Sequence, residues 1–301
     1  MTIERKVGMG IAGQPSGGPT DVAEVFSTYL YTGTGSSLAI NNGIDLAGEG
    51  GLVWIKGRNQ VYSHQIFDTE RGATQRLEAD GIGGQVAKTN SLTSFNSNGF
   101  SLGSENDVNS GNPYDFASWT FRNSKKFFKA VTFSYGGSSA SPTVVTHDLG
   151  CTVGMTFVKQ TNGNQNWYVQ HKDVTGTDNN GALNSTFGFN SPNGMSTSFT
   201  SITNTQATFG AAASFPAGTY VAYFFADNSS EDAEDQMIKC GSFTGTGSAG
   251  LEVNLGWEPQ WVLNKVSDAA DNWTIADSMR GFNAIGDQRL YADVNNQEAA
   301  A

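Results

Sequence analysis

One phrase of about twenty residues is written three times in this chain, at domain-length intervals. A repeat of that kind obliges each copy to fold in a related way. "WIKGRNQVYSHQIFDTERG" (54–72) carries Lys56, His64 eight residues later, Asp68 twelve residues later, and then Arg71 and Gly72. Lys159 is followed at the same distances by Trp167 and His171. Lys265 is followed by Trp273 and Asp277, with Arg280 and Gly281 behind. The lysines stand 103 and 106 residues apart, too far for a solenoid whose units run about 20–50 residues. Each copy is therefore domain-sized. "YTGTG" (31–35), "YGG" (135–137) and "FTGTG" (243–247) keep the same beat, as do "FASWTFRN" (116–123) and "YVAYFFADN" (220–228).

Inside a copy the periodicity is that of strands. In "LVWIK", Leu52, Trp54 and Lys56 fall on one face while Val53 and Ile55 fall on the other, the alternation a pleated backbone imposes. After a short connection His64, Ile66 and Asp68 share a face, as do Trp167, Val169 and His171, and Trp273, Ile275 and Asp277. Short strands separated by Gly, Asn and Ser turns predict an all-β chain of tandem antiparallel β-sandwich, jelly-roll-like domains. The 37 glycines favour turns over long helices. "GQPSGGPT" (13–20) predicts an extended, Gly/Pro-rich N-terminal arm over 1–24. The expected divisions are this arm, a first repeat over 25–126, a second over 127–230, and a linker with a partial third repeat over 231–301. Only 65 residues run from Met237 to Ala301. A sandwich cut there leaves open strand edges, so the expectation is that the chain continues or that another chain completes the fold.

Composition narrows the function. The formal charge of −11 and the lack of a basic stripe argue against nucleic acid, which demands clustered Lys and Arg. No window approaches the ~20 apolar residues of a membrane span, and the N-terminus has no secretory apolar core. The expectation is a chain with no membrane insertion, made without the general export route. Cys151 and Cys240 occupy non-equivalent places in the repeat, which argues against a disulfide framework or a metal site built on them. No cofactor is expected. "GMGIAG" (8–13) spells a dinucleotide fingerprint but stands between no strand and helix that could use it.

The residue types of the phrase suggest shape more than chemistry. Asp68 can accept backbone N–H groups in a turn and meet Arg71 three residues on, with Gly72 free to take a positive φ. Asp277, Arg280 and Gly281 repeat this. The middle copy loses both charges together, with His171 and Val174, as a structural pair would. Lys56, Lys159 and Lys265 read as stems packed on apolar surface. The three histidines lack zinc-site spacing, and no serine sits in a nucleophile elbow. The chain reads as non-enzymatic, without catalytic, metal or cofactor residues. Tyr114 and Trp257, near turns, are the candidate surface aromatics for a glycan.

The ordered marks "FSTYLYTGTGSSLAINNGIDLAGEGGLVWIKGR…FDTERG…TSFNSNGFSLGS…ASWTFR…KFFKAVTF" (26–133) and "IKCGSFTGTGS…VNLGWEPQWVLNK…NWTIADSMRGF" (238–282) resemble a repeated β domain. That domain belongs to virion structural and tail-fibre-like proteins of marine tailed bacteriophages of the cyanophage type. The resemblance implies a particle component, assembled in the host cytoplasm and residing in the virion. It implies docking to other virion proteins through residues 1–24, a homo-oligomer with a trimer favoured, and contact with a host surface glycan. The implied role is a tail-fibre or tail-associated protein in host attachment. The alternative is a capsid-surface or head-fibre decoration, and a rival of another class is a glycan-binding, lectin-like module. The family brings no catalytic signature.

Overall fold

The computed structural model describes residues 5–12, 20–174, 180–189, 197–211, 215–232, 235–248, 250–282 and 288–300; the Gly/Pro stretch of the expected arm lies outside them. The chain is all-β and its sheets are antiparallel. The first strand, β1 (Arg5–Ala12), precedes the repeats. The first repeat supplies β2 (Phe26–Thr32), β3 (Leu38–Asn41), β4 (Gly51–Gly57), β5 (Gln65–Asp68), β6 (Gln75–Glu78), β7 (Val86–Ala87), β8 (Leu92–Asn96), β9 (Gly99–Leu102) and β10 (Asp115–Arg122). The second supplies β11 (Phe128–Tyr135), β12 (Thr143–Thr146), β13 (Val153–Gln160), β14 (Tyr168–His171), β15 (Gly181–Ala182), β16 (Phe199–Ile202), β17 (Gln206–Phe209) and β18 (Gly218–Ala226). The third supplies β19 (Ile238–Thr244), β20 (Pro259–Val266), β21 (Thr274–Asp277), β22 (Gln288–Tyr291) and β23 (Ala299–Ala300).

Each repeat builds one inner sheet with the same order. The first is β2-β10-β4-β5-β6-β7, the second β11-β18-β13-β14-β15, and the third β19-β1-β20-β21-β22-β23. In every case the repeat's first strand lies beside its last strand, and the last lies beside the lysine strand. For the third sheet the last-strand position is filled by β1. Trp119 pairs with Trp54, Tyr223 with Phe157, and Met9 with Leu263, so β1 occupies the register that β10 and β18 hold. The beginning of the chain thus completes the sheet that the sequence left short, and residues 5–12 are an internal strand where a free arm was expected. Gly8 makes the fit possible: a Cβ there would stand 2.6 Å from the Leu263 carbonyl oxygen.

Covers come next. In the first repeat β3-β9-β8 forms a three-stranded sheet over the outer face of the inner sheet, and β12-β17-β16 does the same in the second. Covered on both faces, β4 and β13 are buried at every residue. In β20 burial alternates instead: Trp261, Leu263 and Lys265 are buried while Gln260, Val262 and Asn264 are half-exposed. That is the pattern of a sheet with one face solvated. The first two repeats are sandwiches; among the described residues the third has an inner sheet without a three-stranded cover.

The inner faces of all three sheets meet in a single core. Val7, Met9 and Ile11 join Leu52, Trp54, Ile66 and Trp119 of the first sheet, Phe157, Trp167 and Tyr223 of the second, and Leu263 and Trp273 of the third. The repeats are therefore not beads on a string. Cutting Ile11, which is fully buried, to Ala is expected to cost about 2–5 kcal/mol and to move one unfolding transition as a whole. Urea unfolding followed by tryptophan fluorescence and by far-UV circular dichroism checks this. Two or more separated transitions, with only one displaced, would show independent domains.

Candidate functional site

The repeated residues sit at the junctions between sheets, and one backbone contact recurs at all three. Two residues after each lysine a carbonyl accepts a backbone N–H from the next or preceding repeat. The three bonds are Gln85 N–H to Thr161, Phe189 N–H to Ser267, and Glu298 N–H to Arg58, each 2.7 Å. First repeat meets second, second meets third, and third returns to the first. The contacts close a ring.

The ring side chain eight residues after each lysine makes the second junction contact. The Trp167 indole N–H donates to the Glu78 carbonyl at 2.7 Å, and the Trp273 indole to the Ala182 carbonyl at 2.8 Å. His64 holds the equivalent place opposite Tyr291. Its Nδ1 accepts from the Trp54 indole at 2.9 Å, which leaves the proton on Nε2, buried near the Tyr291 carbonyl without closing a hydrogen bond to it. Burial, chiefly, holds this imidazole well below the ordinary histidine range. Backbone anchors repeat as well: the N–H groups of His64, Trp167 and Trp273 donate to the side-chain oxygens of Asp80, Asn184 and Asp293.

The acidic corners make the third contact. Asp68 receives the Arg71 Nε at 2.5 Å and its backbone N–H at 2.9 Å, and Asp277 receives the same pair from Arg280 at the same distances. Gly72 and Gly281 take φ of 91° and 110°, which any other residue would adopt only with strain. The carboxylate oxygen that takes the arginine Nε, Oδ2, also reaches across the junction. Asp68 accepts the Tyr223 hydroxyl at 2.6 Å, and Asp277 accepts the Trp119 indole at 3.0 Å. In the middle copy the residue across the junction is Met9, which offers no donor. There His171 faces the Gly8 carbonyl at 3.3 Å through Nε2, its Nδ1 accepting from Asp173 N–H. The absent polar tip on β1 explains why this corner carries no charge pair.

The lysines are fully buried, and their ammonium groups are tied to carbonyls. Lys56 donates to Gly57, Gln60 and, across the junction, Asn295. Lys159 donates to Gln165 and, across the junction, Ile82. Lys265 donates to Val266 and Ala269. Burial pushes Lys56 and Lys159 down to about 8. A depressed lysine can serve as a nucleophile when a substrate reaches it, but these nitrogens are enclosed by the chain's own carbonyls. The thiols are also withdrawn: burial pushes Cys151 up to about 11 and raises Cys240, and both are free. Among the described residues no group of three His, Cys, Asp or Glu is placed to hold a metal ion, and no helix is long and apolar enough to cross a membrane.

The surface aromatics fall elsewhere. Tyr114 is half-buried against the first sandwich interior. Trp257 is half-buried over Gly10 on the outer face of the third sheet, with the Lys239 ammonium 5.8 Å from its ring. Beside it lies a groove of about 430 Å³, lined by Gly8, Gly10, Gly241, Phe243, Val253 and Leu255 among others. The sequence signal for this groove was the pair of small residues in β1, Gly8 and Gly10.

Two outcomes follow for the junctions. Trp54 with His64, Phe157 with Trp167, and Leu263 with Trp273 fill equivalent space, a larger partner beside a smaller ring. His64→Trp alone is expected to overpack and cost about 1–3 kcal/mol. Trp54→Phe with His64→Trp transplants the second repeat's solution and should regain most of that loss in urea midpoint. His171 is held near 4 by burial, below its unfolded value of about 6.5. The unfolded chain then binds more protons between these values, so stability falls as pH drops from 6.5 toward 4, by about 3 kcal/mol from this group. His171→Gln keeps a donor for the Gly8 carbonyl. The difference in urea midpoint between the two proteins should shrink or reverse across that window; a constant difference would refute the assignment.

Comparison with known proteins places the chain in a family without giving it a neighbour of known activity. No curated protein and no solved structure matches it. Residues 21–301 match the domain of unknown function DUF7483, and the chain belongs to that family.

Proposed function

We propose that this chain is a non-enzymatic structural protein of a virus particle, a tail-fibre or tail-associated module contributing to host attachment. The observation that carries the reading is where the repeated residues lie. Lys56, Lys159, Asp68, Asp277, Trp167 and Trp273 bond from one sheet to the next, and Lys265, His64 and the two corner arginine side chains are buried beside them. What the repeat conserves within this chain is a junction. A rigid body of three interlocked sheets suits load-bearing or display better than turnover. The resemblance of residues 26–133 and 238–282 to virion β domains points the same way. Attachment through residues 1–24 narrows to the part outside β1, since Arg5–Ala12 is engaged in the third sheet.

A second reading, capsid-surface decoration, draws on one specific feature. The repeats close on themselves around one core and so form a knob, whereas a projecting fibre is served by a linear stack. Gold-labelled antibody raised against the recombinant chain, applied to gradient-purified particles and viewed by electron microscopy, separates the readings. Label confined to the tail is the expected result. Label spread over the head would transfer the assignment to capsid decoration, and particles carrying none would end both.

A further inference from the structure

The groove on the outer face of the third sheet occupies the place where the other two repeats carry a β-hairpin. In the first repeat, residues 86–114 link the junction residue Gln85 to the start of the last strand and contain β8–β9. In the second, residues 190–218 link Phe189 to the equivalent point and contain β16–β17. Each hairpin brings a cross-strand apolar pair down onto the inner sheet, Leu92 with Leu102 and Phe199 with Phe209, all buried. On the third sheet the described residues place no such hairpin.

Part of the cover is nonetheless present. Ten residues before each lysine stands a leucine: Leu46, Leu149 and Leu255. Two residues earlier stand Ile44, His147 and Val253. Leu46, Leu149, Ile44 and His147 are at most 1% exposed, whereas Val253 is 48% exposed and Leu255 is half-exposed. The segment that begins the cover is in position with its flank uncovered. The floor differs too. Thr120 and Phe224 correspond to Gly10, Ser118 and Ala222 to Gly8, and Phe67 and Gln170 to Ala276. Over Gly10 the room is taken by Leu255 and Trp257 of the chain itself; the open floor is at Gly241, which stands where the sister sheets carry Tyr29 and Val131 and where a Cβ would meet no atom within 4 Å.

We infer that this groove is a docking slot for a β-hairpin of a different protein, seated as β8–β9 and β16–β17 seat on their own sheets. The preferred hairpin carries an aromatic cross-strand pair, because Gly241 leaves bare the space that Tyr29 and Val131 fill in the sister sheets. Such a hairpin packs face to face on the sheet and directs alternate side chains into the groove. The inference stands on the internal repeat alone and does not require the particle reading.

The test uses the full 301-residue chain and two hairpin peptides copied from its own covers. One has the sequence of residues 199–209 and the other that of residues 92–102, each closed by a terminal disulfide because isolated hairpins are marginal. Fluorescence anisotropy should show binding of the Phe199–Phe209 peptide on the order of 10–100 μM, within the range for a small interface. It should be several-fold tighter than the Leu92–Leu102 peptide. Gly241→Trp fills the groove where a Cβ meets no atom within 4 Å. It should weaken binding at least tenfold while leaving the urea midpoint unchanged. A version of the first peptide with both phenylalanines replaced by Ser should not bind. No binding at millimolar peptide, or binding that Gly241→Trp leaves intact, would overturn the proposal. So would concentration-dependent dimerisation abolished by Gly241→Trp, which would make a second copy the occupant.

Discussion

The structure depends on β1 standing between β19 and β20. It pairs with each through seven residues, and it turns Val7, Met9 and Ile11 onto the common core. Remove that strand and the lysine strand of the third sheet loses its neighbour, His171 loses the Gly8 carbonyl, and the face that closes the ring opens. Burial of apolar area is worth roughly 25 cal/mol per Å², and here each inner face is buried by the other two sheets. No repeat carries its own complete core on that side. Cooperativity across the chain follows from topology: the residues nearest one end of the sequence complete a sheet built from those nearest the other.

Around this ring the departures from repetition come in complementary sets. Trp54 is large and its partner ring is His64; Leu263 is small and its partner is Trp273. Tyr223 and Trp119 carry polar tips and face Asp68 and Asp277; Met9 carries none and faces His171. A buried carboxylate at that third corner would have had neither an Arg nor a cross-junction donor, and an unpaired buried charge costs several kcal/mol. Change on one side of a junction therefore accompanies change on the other. Variation in the repeat is packing logic at an interface, which also accounts for a spacing that survives where residue identity does not.

Much of this was legible in the chain. Alternation in "LVWIK" and its copies placed the strands, and the joint loss of both charges in the middle copy marked the corner as a pair. The partner of each buried face was not legible. Period two says that Trp54 and Leu52 are covered but not that the cover is another repeat. β1 escaped for a related reason. Val7, Met9 and Ile11 alternate as a strand should, but Gly8 and Gly10 on the opposite face lower strand propensity and spell a nucleotide-like motif. Those glycines read as flexibility in isolation. In place they permit close approach to the Leu263 carbonyl and floor an open groove. Trp257 looked like a free platform because it follows a turn, and it lies against that same sheet.

The buried lysines show why the phrase keeps a costly residue. An ammonium withdrawn from water is expensive, and an apolar side chain of similar length would fill the space at lower cost. An apolar side chain would also leave the carbonyls of Gly57 and Gln60, or of Gln165 and Ile82, without the donor that faces them, and each unsatisfied buried group costs about 1–3 kcal/mol. More important, two of these acceptors, Asn295 and Ile82, belong to the neighbouring repeat. A flexible stem with several donors can gather carbonyls from the loops of two repeats into one small volume, which a leucine cannot. The lysine ties the turn after its own strand to the loop arriving from next door, and so fixes which sheet follows which around the ring.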